Sequence, residues 1–231
     1  MSYPTLDRAA LACAVYAVTQ EVLRSIFVPL YPEDCGGTPC WRSVIVLFVQ
    51  LFWMPVAFFL ALRNQAWSMR QWSADCAKHG LQPAAQSIVY IFYVYLLLDI
   101  LYQELFKPLV ILRRLMVIHH VVCLLGNFYG TKLSPLAAVP HYLAGITWLE
   151  CGSACANAFH IWRGAAFASP VYLIGMSVSN VLAAHAVYCY YARCRDAGGN
   201  ILARLLVVAV MTVLIYLRQK EVHKLTGIPA F

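Results

Sequence analysis

Charge is what this chain has least of. Asp, Glu, Lys and Arg make up only 12% of its 231 residues, against 62% hydrophobic. A soluble domain carries about 25% charged and about 45–50% apolar residues. The shortage leaves little material for a soluble domain. With a mean hydropathy of +0.68 it points to an all-α, polytopic membrane bundle, read as one domain over residues 1–231. Other things are missing too. No charged-then-apolar leader with a small-residue cleavage site opens the sequence, and no lipidation motif or retention ending is found. Any targeting signal is therefore expected to be the first apolar segment itself. No internal repeat or low-complexity tract appears.

The charge that remains is lopsided, with a net +7. Its Lys and Arg are spread over short inter-helix segments, where they are expected to meet lipid phosphates. Nucleic acid is not an expected partner, because the stacking platforms and basic grooves it needs are absent. Nine cysteines lie mostly in apolar runs and read as small hydrophobes. The exception is the loop Cys35-Gly-Gly-Thr-Pro-Cys40, where a disulfide is open if the loop faces an oxidising compartment. Free thiols are the favoured expectation there, and two cysteines alone make a poor zinc site.

A bilayer core of about 30 Å needs about 20 apolar helical residues. On that basis about seven segments are predicted, near residues 9–30, 43–62, 84–102, 112–129, 136–162, 170–191 and 201–217. Gln20, Glu21 and Arg24 interrupt the first. Trp67, Trp72, Tyr102, Trp148 and Trp162 fall near segment ends, as expected of headgroup-level aromatics. Counting Lys and Arg at the two ends of a seven-helix bundle gives eight against eight, so the positive-inside rule is silent.

Ionisable groups inside such segments are functional candidates, because burying them is costly. His119 and His120 sit within Leu-Met-Val-Ile-His-His-Val-Val-Cys-Leu-Leu, residues 115–125. Adjacent residues on a helix point about 100° apart, so the two imidazoles address different directions. A neutral His both donates and accepts and can act as base, nucleophile or metal ligand. No metal site is expected, since three converging ligands are not evident. Asp99 and Gln103 share a helix face with Tyr95, one turn earlier. Glu150, Ser153 and Asn157 form a polar stripe on a helix otherwise built of Gly, Ala and Cys. Such polar groups bond neighbouring helices together, and small residues let those helices approach closely.

These motifs, in this order and spacing, resemble the TLC-domain membrane proteins, which include the ceramide synthases. Tyr95-Leu-Leu-Leu-Asp99 closes one apolar helix, and His119-His120 opens another run about twenty residues on. Glu150-Cys-Gly-Ser-Ala-Cys-Ala-Asn157 resembles the family's Glu-Leu-Ser-Thr-Pro-Phe-Leu-Asn stretch, with Glu, Ser and Asn in register. The resemblance covers about residues 42–218. It implies a six- or seven-helix bundle around a lipid-sized cavity, usually in the endoplasmic reticulum. In ceramide synthases the His pair takes part in acyl transfer from acyl-CoA. By that likeness His119 or His120 would be nucleophile or base, with Asp99 and Glu150 orienting them. The synthases' His-Asp-x-x-Asp stretch is only half present, with Ile146 for its His and Thr147 for its first Asp. Ala154 also replaces a Pro. The likeness is therefore closer to the non-synthase branch.

Three readings follow. The first is a lipid-binding, lipid-sensing or lipid-regulating membrane protein with Tyr95, Gln103, Ser153 and Asn157 as cavity or structural polar groups. The second is an acyltransferase with acyl-CoA as co-substrate, needing no other cofactor. The third is a non-catalytic subunit of a larger membrane complex, with other membrane subunits as partners and the mitochondrial inner membrane as an alternative location. The missing Asp at Thr147 favours the first over the second.

Overall fold

The computed structural model describes residues 6–30, 34–35, 38–106 and 111–226, with side chains described over 14–15, 18–19, 21–30, 40–101 and 117–225. Helix dominates. The helices are α1 (Leu6–Leu30), α2 (Cys40–Phe48), α3 (Met54–Arg63), α4 (Met69–His79), α5 (Pro83–Phe106), α6 (Ile111–Lys132), α7 (Val139–Ile161), α8 (Ala168–Asp196) and α9 (Ile201–Thr226). Each predicted apolar segment is a helix. One of them, residues 40–63, is α2 and α3 joined through a π-helical turn, Val49–Trp53. Among the described residues four stretches are long and apolar enough to cross a membrane: Cys40–Arg63, Pro83–Leu101, Ala168–Asp196 and Ile201–Leu225. A two-residue antiparallel pair, Asp34–Cys35 with Thr38–Pro39, precedes α2.

Short connections fold successive helices back on one another. Going round, α2/α3 pack on α5, α5 on α6, α6 on α9, α9 on α8, α8 on α7, and α7 on α2. The six form a closed ring. Helix α7 also touches α3, α4, α5 and α6, so its polar stripe faces the middle of the bundle. Helix α1 lies outside the ring against α2 and α5. Its interrupting charges neutralise each other along the helix, Arg24 Nε donating to Glu21 Oε2 at 2.8 Å.

Close packing of α7 on α8 rests on missing side chains. A Cβ at Gly152 would collide with the Ser179 and Arg218 side chains, and one at Gly175 with Cys155. Small residues at such crossings let backbones approach.

Helix α4 was not predicted, because at 11 residues it is short and its mean hydropathy is low. Ser68 caps it by accepting from Gln71 N–H at 3.2 Å, and Gly80 ends it at φ 83°. The turn before it holds Ala66 and Trp67 at φ 50° and 61°, a left-handed pair that costs conformational energy. Trp72 on α4 corrects an expectation. It is fully buried against Phe58, not at the headgroup level. Trp148 likewise packs edge-on to Phe58 and Phe59. Trp67 and Trp162 are exposed, and Tyr102 lies outside the described side chains. Asp75 accepts from Gln82 and Gln65 and contacts His79 at 2.9 Å, fastening α4 to both flanking turns. Those bonds, His79 first, hold its carboxyl below the usual range.

The expectation of free thiols in the first loop is also corrected: Cys40 is disulfide-bonded. Cys35 lies outside the described side chains. Cys76, Cys123, Cys151, Cys155, Cys189 and Cys194 are free.

Overpacking a tight crossing costs about 1–3 kcal/mol. Gly152→Val is expected to lower the thermal unfolding midpoint in detergent. Gly164→Val should leave it unchanged, since nothing lies within 4 Å of a Cβ there.

Candidate functional site

The polar residues predicted from sequence meet in one half of the bundle, the half nearer the α1–α2, α5–α6 and α7–α8 connections. They form three linked clusters, each closed by a residue that sequence reasoning did not select.

In the first, Asp99 on α5 faces Arg42 on α2. Arg42 Nε donates to Asp99 Oδ1 at 2.6 Å, and Nη2 donates to Oδ2. Arg42 is 8% exposed and Asp99 3%, so neither charge has water to fall back on. This corrects the assignment of Arg42 to lipid phosphates. His120 Nδ1 lies 3.0 Å from Asp99 Oδ2, close enough for an ion pair but off the angle of a hydrogen bond. The Tyr95 ring meets the His120 ring edge-on, centroids 6.1 Å apart. Asp99 thus accepts from the guanidinium at both oxygens, and its Oδ2 also faces the imidazole. Its proposed partner Gln103 lies outside the described side chains.

The second cluster hangs on the π-helical turn. One extra residue in a helical turn swings the following side chains round, and such turns recur at functional sites. Here Gln50 is turned into the ring and is 2% exposed. Its Nε2 donates to Glu150 Oε2 at 2.7 Å, and its Oε1 accepts from Asn157 Nδ2 at 2.9 Å. One amide therefore spans the Glu150–Asn157 stripe and staples the turn to α7. Glu150 orients neither imidazole by a hydrogen bond. Its stapling partner is Gln50.

The third cluster centres on Arg218 of α9, the second cation wrongly expected at the lipid phosphates. Arg218 Nη1 donates to Ser153 Oγ at 2.7 Å and Nε to Asn180 Oδ1 at 3.1 Å. Asn180 Nδ2 in turn donates to Gln219 Oε1 at 3.1 Å. Three helices, α7, α8 and α9, are tied at one guanidinium.

The His pair splits as adjacent helical residues must. His120 belongs to the ion-paired cluster. His119 looks the other way, its Nε2 3.7 Å from Cys123 Sγ. It lines a narrow cavity between α5, α6, α7 and α9. Glu150, Ser153 and Arg218 stand at the polar end of that cavity. Tyr142, Val207 and Val210 line the apolar remainder. The cavity volume is about 30 Å³, room for a water molecule or two. Thr147 Oγ1, where the synthases have Asp, is buried and has no hydrogen-bond partner among the described residues.

The lipid-sized space lies elsewhere. A groove of about 620 Å³ runs between α1, α2/α3 and α5. Leu23, Ile45, Phe48, Phe52, Trp53 and Leu60 line it, with Thr19 and Ser87 its hydroxyl groups. Its wall is the same π-helical turn that sends Gln50 inward. Among the described residues no group of three or more His, Cys, Asp or Glu converges as a metal centre.

Arg42, Gln50, Asn180 and Arg218 were the residues missed. Gln50 had a signal, since it is the one amide in an otherwise apolar run. Arg42 and Arg218 sit at segment edges, where sequence alone cannot separate a buried cation from a headgroup anchor.

Removing one partner of a buried ion pair costs about 3–5 kcal/mol, whereas replacing both by apolar groups is often neutral. Arg42→Met and Asp99→Leu are each expected to reduce the folded yield in detergent sharply. The double variant should recover most of it. A double variant as damaged as the singles would mean the site does not act as a pair.

The comparisons with known proteins end without a relative: no protein-family model, no curated protein and no solved structure matches this chain.

Proposed function

We propose that the chain is a TLC-like, seven-helix integral membrane protein that binds a membrane lipid by its acyl chain and senses it through the π-helical turn. One observation carries this reading. The 620 Å³ apolar groove and the buried Gln50–Glu150–Asn157 bridge share a single wall, residues Val49–Trp53. Ligand sites typically occupy about 300–1,000 Å³ and are mostly apolar. A chain seated against Phe48, Phe52 and Trp53 would bear on the turn from outside. Gln50 would pass that pressure to Glu150 and Asn157 inside. A π-helical turn suits the role, because such single-turn interruptions of α-helices are frequent at functional sites.

Mass spectrometry of the gently extracted protein tests this. The unmodified chain should retain a chain-bearing lipid, and Ala84→Trp, which fills the groove, should lose it. Gln50→Ala should keep the lipid while loosening α2/α3 from α7. Equal lipid retention in the unmodified chain and Ala84→Trp would sink the groove assignment. A stoichiometric set of protein partners with only bulk phospholipid would favour a structural subunit.

A second reading, acyl transfer from acyl-CoA, has one observation in its favour. His119 stands in a cavity with Glu150, Ser153 and Arg218, while Asp99 holds the neighbouring His120. In membranes supplied with acyl-CoA and a long-chain amine, this reading expects His119→Ala to abolish amide product. Activity retained in the His119→Ala, His120→Ala double variant would rule it out.

A further inference from the structure

The two ends of the bundle differ in two independent ways, and both bear on how it sits in the membrane. The first difference is charge. Lys and Arg were tied between the ends by count, but Arg42 and Arg218 point inward and are bonded there to Asp99, Ser153 and Asn180. They face no headgroup, so the tie breaks toward the α4 end. Among the described residues that end presents Arg63, Arg70, Lys78, Lys132, Arg193 and Arg195. Its described acids are already engaged. Asp75 is bound by His79, Gln65 and Gln82, and Asp196 pairs with Arg195 at 3.0 Å. Among the described side chains the opposite end keeps Arg163, Lys220 and Lys224, the last 3.7 Å from Glu221, and the sequence adds Lys107, Arg113 and Arg114 there, so the full count becomes eight against six.

The second difference is redox. Cys40, at the start of α2 and so at that opposite end, is disulfide-bonded. Disulfides persist where the medium is oxidising and are rare where glutathione keeps thiols reduced. Excess Lys and Arg sit on the cytoplasmic side, where the leaflet carries anionic lipid. Neither observation depends on the other, and both give the same orientation.

We propose that the bundle stands with α4 and the basic helix ends against anionic phospholipid headgroups of the cytoplasmic-type leaflet, and with Arg42, Asp99 and His120 in the leaflet bordering an oxidising compartment. This rests on the seven-helix spanning reading above. It has a functional consequence. The polar end of the His119 cavity lies in the leaflet next to the oxidising side, so a polar headgroup or small solute meets Glu150 and Arg218 from there.

Cysteine accessibility in sealed vesicles of known sidedness tests it, with the unsubstituted full chain as background. Ala197→Cys marks the α8–α9 turn at the basic end, and Gly164→Cys the α7–α8 turn at the other. Both positions are exposed, and Gly164 has open space around it. With the cytoplasmic face outward, a membrane-impermeant maleimide should label Ala197→Cys directly and Gly164→Cys only after permeabilisation. The reverse pattern overturns the orientation. Labelling of both sites from one side overturns the spanning reading instead. In parallel, Cys40 in the denatured chain should alkylate only after reductant. Alkylation without reductant would remove the oxidising side.

Discussion

Everything in this bundle is arranged round the cost of a charge without water. A carboxylate or guanidinium in a low-dielectric interior is unfavourable by several kcal/mol unless it is paired and hydrogen-bonded. Asp99 is such a charge, and Arg42 answers it through two parallel donors, the geometry in which Arg and carboxylate bind best. That pairing joins α2 to α5. His120 then joins α6 to the same carboxylate. Three of the six ring helices are registered at one point, and a slip of any of them would strand a charge.

The π-helical turn solves a related problem by different means. Glu150 faces the middle of the bundle from α7 and needs a donor there. A continuous α-helix from Cys40 to Arg63 would carry its side chains round in even 100° steps. The turn at Val49–Trp53 breaks that regularity and sets the Gln50 amide between Glu150 and Asn157. It also leaves Phe52 and Trp53 exposed on the groove side. One local departure from helical geometry therefore has an inner, polar consequence and an outer, apolar one. Arg218 plays the equivalent part on the far side, where Gly152 leaves room for its guanidinium beside Ser179.

Much of the candidate site was legible before any fold was known. Asp99, His119, His120 and Glu150 stood out because an ionisable group in an apolar run has no inexpensive explanation. The split of the His pair followed from helical geometry alone. Glu150, Ser153 and Asn157 share a helix face by their spacing, and in the structure Gln50 bonds Glu150 and Asn157 while Arg218 bonds Ser153. The partners were not legible, because Gln50 and Asn157 are 107 residues apart and Arg42 and Asp99 57. Nothing local in either partner marks the other. The same limit explains Arg42, Arg218 and Trp72, each given a headgroup role by its position at a segment edge. An edge residue can turn outward or inward with equal local cost, and its neighbours in space decide.

The amino-acid sequence by itself determined that this chain is helical and apolar, where its long apolar helices run, and which of its groups are too polar for their surroundings. Those are properties of composition and periodicity, and they need only the nearest few residues along the chain. Tertiary structure alone decided how the helices close into a ring, which acid meets which cation, and that the lipid-sized space lies outside the ring while the interior cavity is water-sized. Those outcomes depend on side chains brought together from six helices. Pairing energies in a dry interior are set by distance and angle, which no single segment contains.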